Sequence, residues 1–280
     1  MIGTVRRGLN VLREEGLVPF LRQSADYATS IAGKRYWEMF RNSYSLSVAD
    51  TTISFSAPTY DIVRRTRQRH RIENIILADL VRELRDDDVF YDVGANTGLY
   101  TLFAAKNCPQ GTVVAFEPYP PNSDLLRRDV SRNGLENVLV RELALSDSDG
   151  TITFDQPASE DVGYGSSSIA PEASEHTVQV PTARGDELVG SGDVPAPTVI
   201  KIDVEGSEPL VVDGLRETLQ RDDCRIVYCE VHKPTKSDKR LAIDDFGSSP
   251  DELVAMLSDC GFETDVIDRT ESDLHVMASK

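Results

Sequence analysis

Two pairs of ionisable residues stand out in the chain because each could move a proton. Asp203 and Glu205 are two positions apart in the segment VIKIDVEG, and Glu230 and His232 are two positions apart in YCEVH. In a β-strand this spacing places both side chains on one face. Carboxylates that lie close together raise one another's proton affinity and favour an imidazolium. The pattern predicts Asp203 or His232 as the general base for an acceptor hydroxyl, with Glu205 and Glu230 orienting the hydroxyl groups.

The same residues admit two other interpretations. Carboxylate and imidazole groups could hold Mg²⁺ or Mn²⁺, which would lower the pKa of a bound hydroxyl, although we do not favour a metal here. In a purely structural role, Glu205 would stabilise the start of the next helix, and Glu230 and His232 would form an inert pair. Lys201 is assigned no chemistry because it could simply pair with Asp203. The remaining histidines are predicted to be surface or packing residues: His70, His176 and His275.

A glycine-bearing turn follows an apolar run in VFYDVGANTGLY and could bring the backbone close to a ligand. Gly94 and Gly98 are four apart, and Asn96 stands where a dinucleotide fingerprint has its second glycine. Asp92 is placed to meet an ammonium group or the turn itself. Glu117 ends the next strand, where it could accept bonds from both hydroxyls of a ribose. Carboxylates at this turn disfavour a pyrophosphate and suit a ligand that carries ammonium and sulfonium charges, which indicates S-adenosylmethionine. The alternative is that Asp92 and Glu117 only cap their turns.

These residues need a sheet to position them. From residue 88 onward, short apolar runs alternate with helical patterns, which is typical of a parallel sheet covered by helices on both faces. Strands of this sheet are predicted at 89–93, 112–118, 137–145, 198–204 and 225–232, followed by an antiparallel hairpin at 262–279. The carboxyl ends of parallel strands meet at one edge of a sheet, so the turn and both ionisable pairs should meet there.

Residues 1–85 are predicted to form an N-terminal extension, ahead of a domain that spans 86–280. Short helices are expected before residue 45, a small hairpin at 45–57 and a helix at 58–84. The extension is rich in arginine, with RRTRQRHR at 64–71 as its densest patch. We expect a solvated helix face there, and the alternative is contact with an anionic membrane or a lipid-linked substrate.

Five segments together resemble the FkbM family of S-adenosylmethionine-dependent methyltransferases: FYDVGANTGLYT, VVAFEP, NVLVRELALSDSDG, VIKIDVEGSEPLVVDGL and YCEVH. The resemblance runs in order over about residues 86–235. It implies an α/β, class I methyltransferase (Rossmann-like) fold with a doubly wound seven-stranded sheet of order 3-2-1-4-5-7-6. It also implies that the residues of the turn and Glu117 contact the cofactor, and that Ala144 and Leu145 flank its adenine ring. Members of the family commonly methylate hydroxyls, often on sugars.

A polar loop at 161–176 could close over such a site, with Tyr164, Ser167 and Ser168 as candidates to touch the acceptor. A mobile surface loop is the alternative. The formal net charge of -17 disfavours nucleic acid as a partner. The four cysteines show no CxxC spacing and are expected to be buried thiols. Without a long apolar segment or a secretory signal, the chain is expected to be cytoplasmic, with peripheral membrane contact through the basic extension left open.

The sequence therefore predicts an O-methyltransferase that uses S-adenosylmethionine and acts on a saccharide hydroxyl in a glycan or glycolipid precursor. Three alternatives stay open at this point. The acceptor could be a non-sugar small molecule or a carboxylate. The protein could instead be a nicotinamide-dependent oxidoreductase, or a binding module that keeps the fold without the chemistry.

Overall fold

The computed structural model describes residues 43–57, 59–155, 177–235 and 241–280. In chain order its elements are β1 (Ser43–Val48), β2 (Thr51–Ser56), α1 (Tyr60–Glu83), β3 (Val89–Val93), α2 (Leu99–Asn107), β4 (Thr112–Phe116), α3 (Pro120–Arg132), β5 (Val138–Arg141), β6 (Ala144–Ser146), β7 (Gly150–Asp155), β8 (Thr177–Arg184), α4 (Gly185–Ser191), β9 (Val199–Ile202), α5 (Glu208–Gly214), α6 (Arg216–Leu219), β10 (Ile226–His232), a 3₁₀ turn (Ile243–Phe246), α7 (Pro250–Asp259), β11 (Glu263–Arg269) and β12 (Asp273–Ser279). Among these helices, none is both long enough and apolar enough to cross a bilayer.

Seven strands form the central sheet, in the order β5-β4-β3-β9-β10-β12-β11. The first five pair in parallel, whereas β12 runs antiparallel to both β10 and β11. Numbered by their order within this sheet, the strands read 3-2-1-4-5-7-6, so the predicted topology is confirmed. The chain places β4 on one side of β3 and β9 on the other, so the direction in which strands are added reverses there. Such a switch point opens a crevice beyond the carboxyl ends of the neighbouring strands.

Both faces of the sheet are buried, as its continuous apolar strands require. Phe90 packs in one hydrophobic cluster with residues of α2 and the N-terminal elements, while its neighbour Tyr91 packs in a second cluster with residues of α5 and α7. Successive side chains of a strand point to opposite faces, so the sheet is the middle layer of three. The four cysteines are buried free thiols.

The described part of the N-terminal extension belongs to one of these outer layers. Ile53 and Phe55 of the β1–β2 hairpin share a cluster with Phe103 of α2, and the Phe55 and Phe103 ring centroids are 6.5 Å apart. The backbone N–H of Ser56 also donates to Asp129 Oδ1 at 2.8 Å. The described residues of β1, β2 and α1, which belong to the predicted N-terminal extension, therefore share a hydrophobic cluster with the sheet.

The single strand predicted over 137–145 is wrong. β5 ends at Arg141, and the chain then leaves the central sheet to form β6, which pairs with β8 in a separate three-stranded sheet. Among the strands that the structure describes, β5 is at the edge of the central sheet and pairs only with β4. Since no described strand pairs with its other side, the chain can leave the central sheet after Arg141 without breaking a second set of strand hydrogen bonds.

Candidate active site

A cavity of about 530 Å³ lies at the carboxyl ends of β3, β4, β9 and β10. Its volume falls in the usual range for small-molecule sites. Nine residues predicted from sequence to act on cofactor or acceptor line it: Gly94, Asn96, Glu117, Ala144, Leu145, Asp203, Glu205, Glu230 and His232. The structure thus brings both predicted groups of residues to one space, as parallel strands with a common edge allow.

The turn after β3 is held against the tips of two neighbouring strands. Gly94 and Ala95 both donate their backbone N–H groups to Phe116 O at 3.0 Å. Gly94 has a φ of +81°, and a Cβ placed on it would lie 1.9 Å from the carbonyl oxygen of Asp203. Only glycine allows both this conformation and this close approach.

We expect Gly94→Ala to lower the free energy of unfolding by about 2–5 kcal/mol, the sum of left-handed strain and overpacking. Gly192→Ala is the matched control, because Gly192 has a φ of +80° and a Cβ added to it would meet no atom of the described residues within 4 Å. It should lose only about 1–2 kcal/mol from strain. Urea denaturation of both variants measures the difference. Equal losses would mean that the contact with Asp203 does not constrain the turn.

Glu117 is 5% exposed and ties the turn together. Its carboxylate accepts from Asn96 N at 2.7 Å and from Tyr119 N at 2.9 Å. Burial raises the pKa of Glu117 to about 7, although these backbone donors oppose the shift. Ala144 and Leu145 line the same cavity from β6, and not from the end of the third sheet strand as expected.

Two predicted cofactor residues do not line the cavity. Asp92 is 1% exposed and turns toward α2, where it accepts from Thr101 Oγ1 at 2.5 Å. The ammonium group it faces is that of Lys201, at 3.8 Å. A Cβ on Gly98 would meet Leu126 at 2.2 Å, so this glycine lets the start of α2 pack against α3. Both residues therefore hold the turn in place through contacts on the side away from the cavity.

The second group of residues surrounds His232. Its Nε2 lies 3.5 Å from Glu205, 3.8 Å from Asp203 and 3.9 Å from Glu230. Since β9 ends at Ile202, Asp203 and Glu205 lie beyond the strand and do not share a strand face. Glu205 has a φ of +53°, so a turn, and not strand alternation, directs it into the cavity.

Glu208 is a functional candidate that the sequence analysis missed. It is fully buried in the first turn of α5 and accepts from His232 Nδ1 at 2.7 Å. Burial alone would lower the pKa of His232, but the bond to Glu208 and the charges of Asp203 and Glu205 raise it to about 10. His232 is therefore an imidazolium at neutral pH. Glu208 and His232 are 24 residues apart, so no local sequence pattern indicated this pair.

Two cations hold Asp203 in its charged form. Lys201 Nζ lies 2.9 Å and Arg69 2.6 Å from its Oδ2. Burial alone would raise the pKa of Asp203, yet these cations hold it well below its usual range. Arg69 comes from α1 and also pairs with Glu73 at 2.5 Å. Arg64 and Arg71 of the same basic patch are exposed as expected, whereas Arg69 lines the cavity.

The proposed acceptor contacts Tyr164, Ser167 and Ser168 lie outside the described residues. Two sets in the described part of the chain have the side chains of a metal site, with ligand atoms within 4.8 Å of one another: Asp203, Glu205 and His232, and Glu230, His232 and Asp273.

Comparison with known proteins identifies the family of the chain. The family model described as the methyltransferase FkbM domain matches residues 92–264, more than half of the chain. The chain belongs to the FkbM methyltransferase family. It is therefore a methyltransferase that uses S-adenosylmethionine, and the predicted enzyme class is confirmed. Arg69 lies outside the matched residues, so the FkbM domain alone does not account for the whole cavity wall.

Individual FkbM relatives cover much of the chain. Hexuronic acid methyltransferase AglP of Haloferax volcanii is 32% identical over 70% of this chain and 72% of its own length. 31-O-demethyl-FK506 methyltransferase FkbM of Streptomyces tacrolimicus is 30% identical over 64% and 74%. A solved structure of methyltransferase FkbM from Methylobacillus flagellatus aligns with a TM-score of 0.47 and 17% identity, over 70% of this chain and 45% of that chain.

The cavity fits the cofactor of the FkbM family. Gly94 and Asn96 of the turn line the cavity, and Glu117 offers a buried carboxylate beside them. Apolar side chains of Leu145, Phe116 and Ile152 line the same space and suit a flat aromatic ring. The excess of carboxylates suits a ligand with positive charge.

Proposed function

We propose that this enzyme transfers a methyl group to a hydroxyl of a saccharide. The observation that carries the proposal is the convergence of three carboxylates on His232, at 3.5–3.9 Å, in the cavity that fits the cofactor. Carboxylates accept hydrogen bonds from hydroxyls, and adjacent sugar hydroxyls can use several acceptors at once. The hexuronic acid named for the Haloferax relative is consistent with a saccharide acceptor.

In this proposal each residue has a defined role. S-adenosylmethionine, when bound, supplies a methyl group activated on a sulfonium. Glu117, with Gly94 and Asn96, holds the donor, and Glu205 and Glu230 orient the acceptor hydroxyls. His232 takes the hydroxyl proton at Nε2, while Glu208 fixes its ring through Nδ1. Asp203 is the weaker of the two bases predicted from sequence, because Lys201 and Arg69 keep its pKa low.

This assignment predicts that activity rises with pH. An imidazolium must lose its proton before it can accept another. We therefore expect kcat/KM to increase from neutral pH upward and to level off above pH 10, because the pKa of His232 in the free enzyme is about 10. The same raised pKa means that the imidazolium stabilises the fold at neutral pH and that this contribution is lost as the pH rises toward 10. Initial rates should therefore be measured with melting temperatures at each pH. A rate that is flat between pH 6 and 9 would remove His232 as the base.

We favour this base over a metal at the same residues. Oδ2 of Asp203 is already engaged by two cations, and an imidazolium has no lone pair to offer a metal. Full activity after chelation and dialysis would agree with this choice. Activity lost with a chelator and restored by Mg²⁺ would support the metal instead.

The acceptor class can be tested directly. Purified enzyme is incubated with labelled S-adenosylmethionine and a panel of hexuronic acids, neutral hexoses and non-sugar alcohols, and the label is located by mass spectrometry. We expect label on saccharides that survives mild alkaline hydrolysis, because a methyl ether is stable and a methyl ester is not. Label lost in alkali would mean carboxylate methylation. Label only on non-sugar compounds would overturn the saccharide proposal.

A further inference from the structure

Behind His232, a row of ionisable side chains crosses three strands toward the edge of the sheet. Glu230 on β10 is directly opposite His275 on β12, and His275 is directly opposite Asp268 on β11. Glu230 lies between the two histidines: one oxygen is 3.9 Å from His232 and the other is 3.4 Å from His275. The opposite nitrogen of His275 is 4.0 Å from Asp268.

His275 was expected to be a surface or packing residue, and the structure places it in a buried position beside Glu230. It is 6% exposed, and neither ring nitrogen makes a hydrogen bond of good geometry within the described part of the chain. A second cavity of about 10 Å³ touches both Glu230 and His275, which is about the space of one water molecule. A buried, unsatisfied imidazole in a polar setting is costly unless it has a use or a water partner.

Asp268 connects this row of ionisable side chains with the solvent. Its side chain is 46% exposed, whereas those of Glu230 and His275 are 19% and 7% exposed. The row therefore begins at the cavity wall and ends in solvent without crossing the cavity mouth. An imidazole can accept a proton at one nitrogen and release one from the other, which suits it to the middle of such a row.

We propose that Glu230, His275 and Asp268 form a relay that carries the proton of His232 to bulk water. The inference rests on the proposed function, in which His232 takes a proton from the acceptor. The imidazolium of His232 passes its Nε2 proton to Glu230, whose carboxyl group turns toward His275. His275 accepts at Nε2 and releases its Nδ1 proton to Asp268 and water, and rotation of its ring then restores the starting tautomer. One proton enters and one leaves, so His232 returns to its neutral form while the cavity is filled.

Other charged groups influence where the proton resides along this route. The carboxylates that face His232 from neighbouring elements are Glu208, Asp203, Glu205, Glu230 and Asp273. Of these, Asp273 is directly opposite His232 on β12. The polar groups around the small cavity beside His275 are Tyr100, Lys201, Tyr228 and Glu230. Burial would lower the pKa of His275, but Glu230 and Asp268 raise it, which lets His275 hold a proton in transit.

The relay can be tested without knowing the acceptor. In ¹⁵N-labelled enzyme saturated with S-adenosylhomocysteine, NMR measures the exchange of the His232 Nε2 proton with water. We expect His275→Asn and Asp268→Asn to slow it by about tenfold, less than the roughly 10²-fold that a lost proton-transfer group costs, because water at the cavity mouth offers a second path. Asp265→Asn is the matched control, an aspartate on the same strand that does not face His275 in the register. It should leave exchange unchanged.

Asp268→Asn keeps the test informative if His275→Asn does not fold, because Asp268 is half exposed. For any acceptor that is turned over, both variants should lower kcat and shift its pH profile while KM stays constant. Wild-type exchange rates in Asp268→Asn would overturn the relay, even if sugars are methylated. Slowed exchange in an enzyme that methylates no sugar would leave the relay standing and remove the saccharide acceptor.

Discussion

Replacing His232 with asparagine should lower the methyl-transfer rate by about 10²–10⁴-fold, the usual loss when a general base is removed. The asparagine amide can still donate to buried Glu208 from near the position of Nδ1, whereas nothing replaces Nε2 beside Asp203 and Glu205. The variant should therefore still fold, with reduced stability because the imidazolium is lost, and should retain its affinity for the donor. Single-turnover rates with saturating S-adenosylmethionine measure the effect, because they exclude product release.

Two measurements guard this result against a loss of structure. The melting transition should stay cooperative, at a lower temperature because the imidazolium no longer stabilises the fold, and the affinity for S-adenosylhomocysteine should stay close to that of the wild type. The alkaline rise of the pH profile should also disappear, since the group that titrates near 10 has been removed. If the variant transfers methyl groups at a rate within a few-fold of the wild type, His232 is not the base and Asp203 becomes the first candidate.

Replacing Glu117 should have the second largest effect, on the binding of the donor. Hydrogen bonds to a charged group contribute about 1.5–3 kcal/mol, so Glu117→Gln should weaken donor binding by roughly 10- to 150-fold. Its amide would also turn an N–H toward one of the backbone donors at Asn96 and Tyr119. Glu117→Ala should lose more, because it removes both acceptors and leaves those N–H groups buried. Calorimetry with S-adenosylmethionine measures both variants.

Glu142→Gln is the control for Glu117, because Glu142 follows β5 at the next strand tip but its side chain is 40% exposed and pairs with Arg127. It should bind the donor like the wild type. The pH dependence adds a second criterion. Glu117 has a pKa raised to about 7, so wild-type affinity should fall as the pH drops below 7 and the carboxylate takes up a proton. In Glu117→Gln this dependence should vanish. Unchanged affinity in both Glu117 variants would remove the proposed donor contact.

How much of the site could be predicted depended on whether a residue belongs to a local motif. The turn around Gly94, the carboxylate at Glu117 and the Glu230–His232 pair follow directly from short patterns, because strand ends and tight turns have strong local preferences. Asp92 shows the limit of this reasoning. Its place beside the turn was right, but strand alternation turns it away from the cavity toward Thr101. A motif therefore predicts where a residue lies along the chain but not which face of the sheet its side chain points to.

Arg69, Glu208 and His275 could not be found from local patterns. Arg69 lies in a run of arginines whose other described members are exposed, and its ion pair with Asp203 joins positions 134 residues apart. The proposed role of His275 depends on its cross-strand neighbours, Glu230 on β10 and Asp268 on β11. Such pairings depend on strand register and helix rotation, which packing decides over the whole molecule.

By itself, the sequence determined the α/β class and the edge of the sheet where the cavity lies, since alternating apolar runs and glycine turns encode these features locally. The strand order and the methyltransferase family followed from the resemblance of five segments to the FkbM family. Only the tertiary structure decided which charges share that cavity. It brought α1 over the site, directed Asp203 and Glu205 inward from beyond the end of β9, and buried Glu208 against His232. The protonation states on which the chemistry depends follow from burial and from neighbours distant in sequence, and these exist only once the chain is folded.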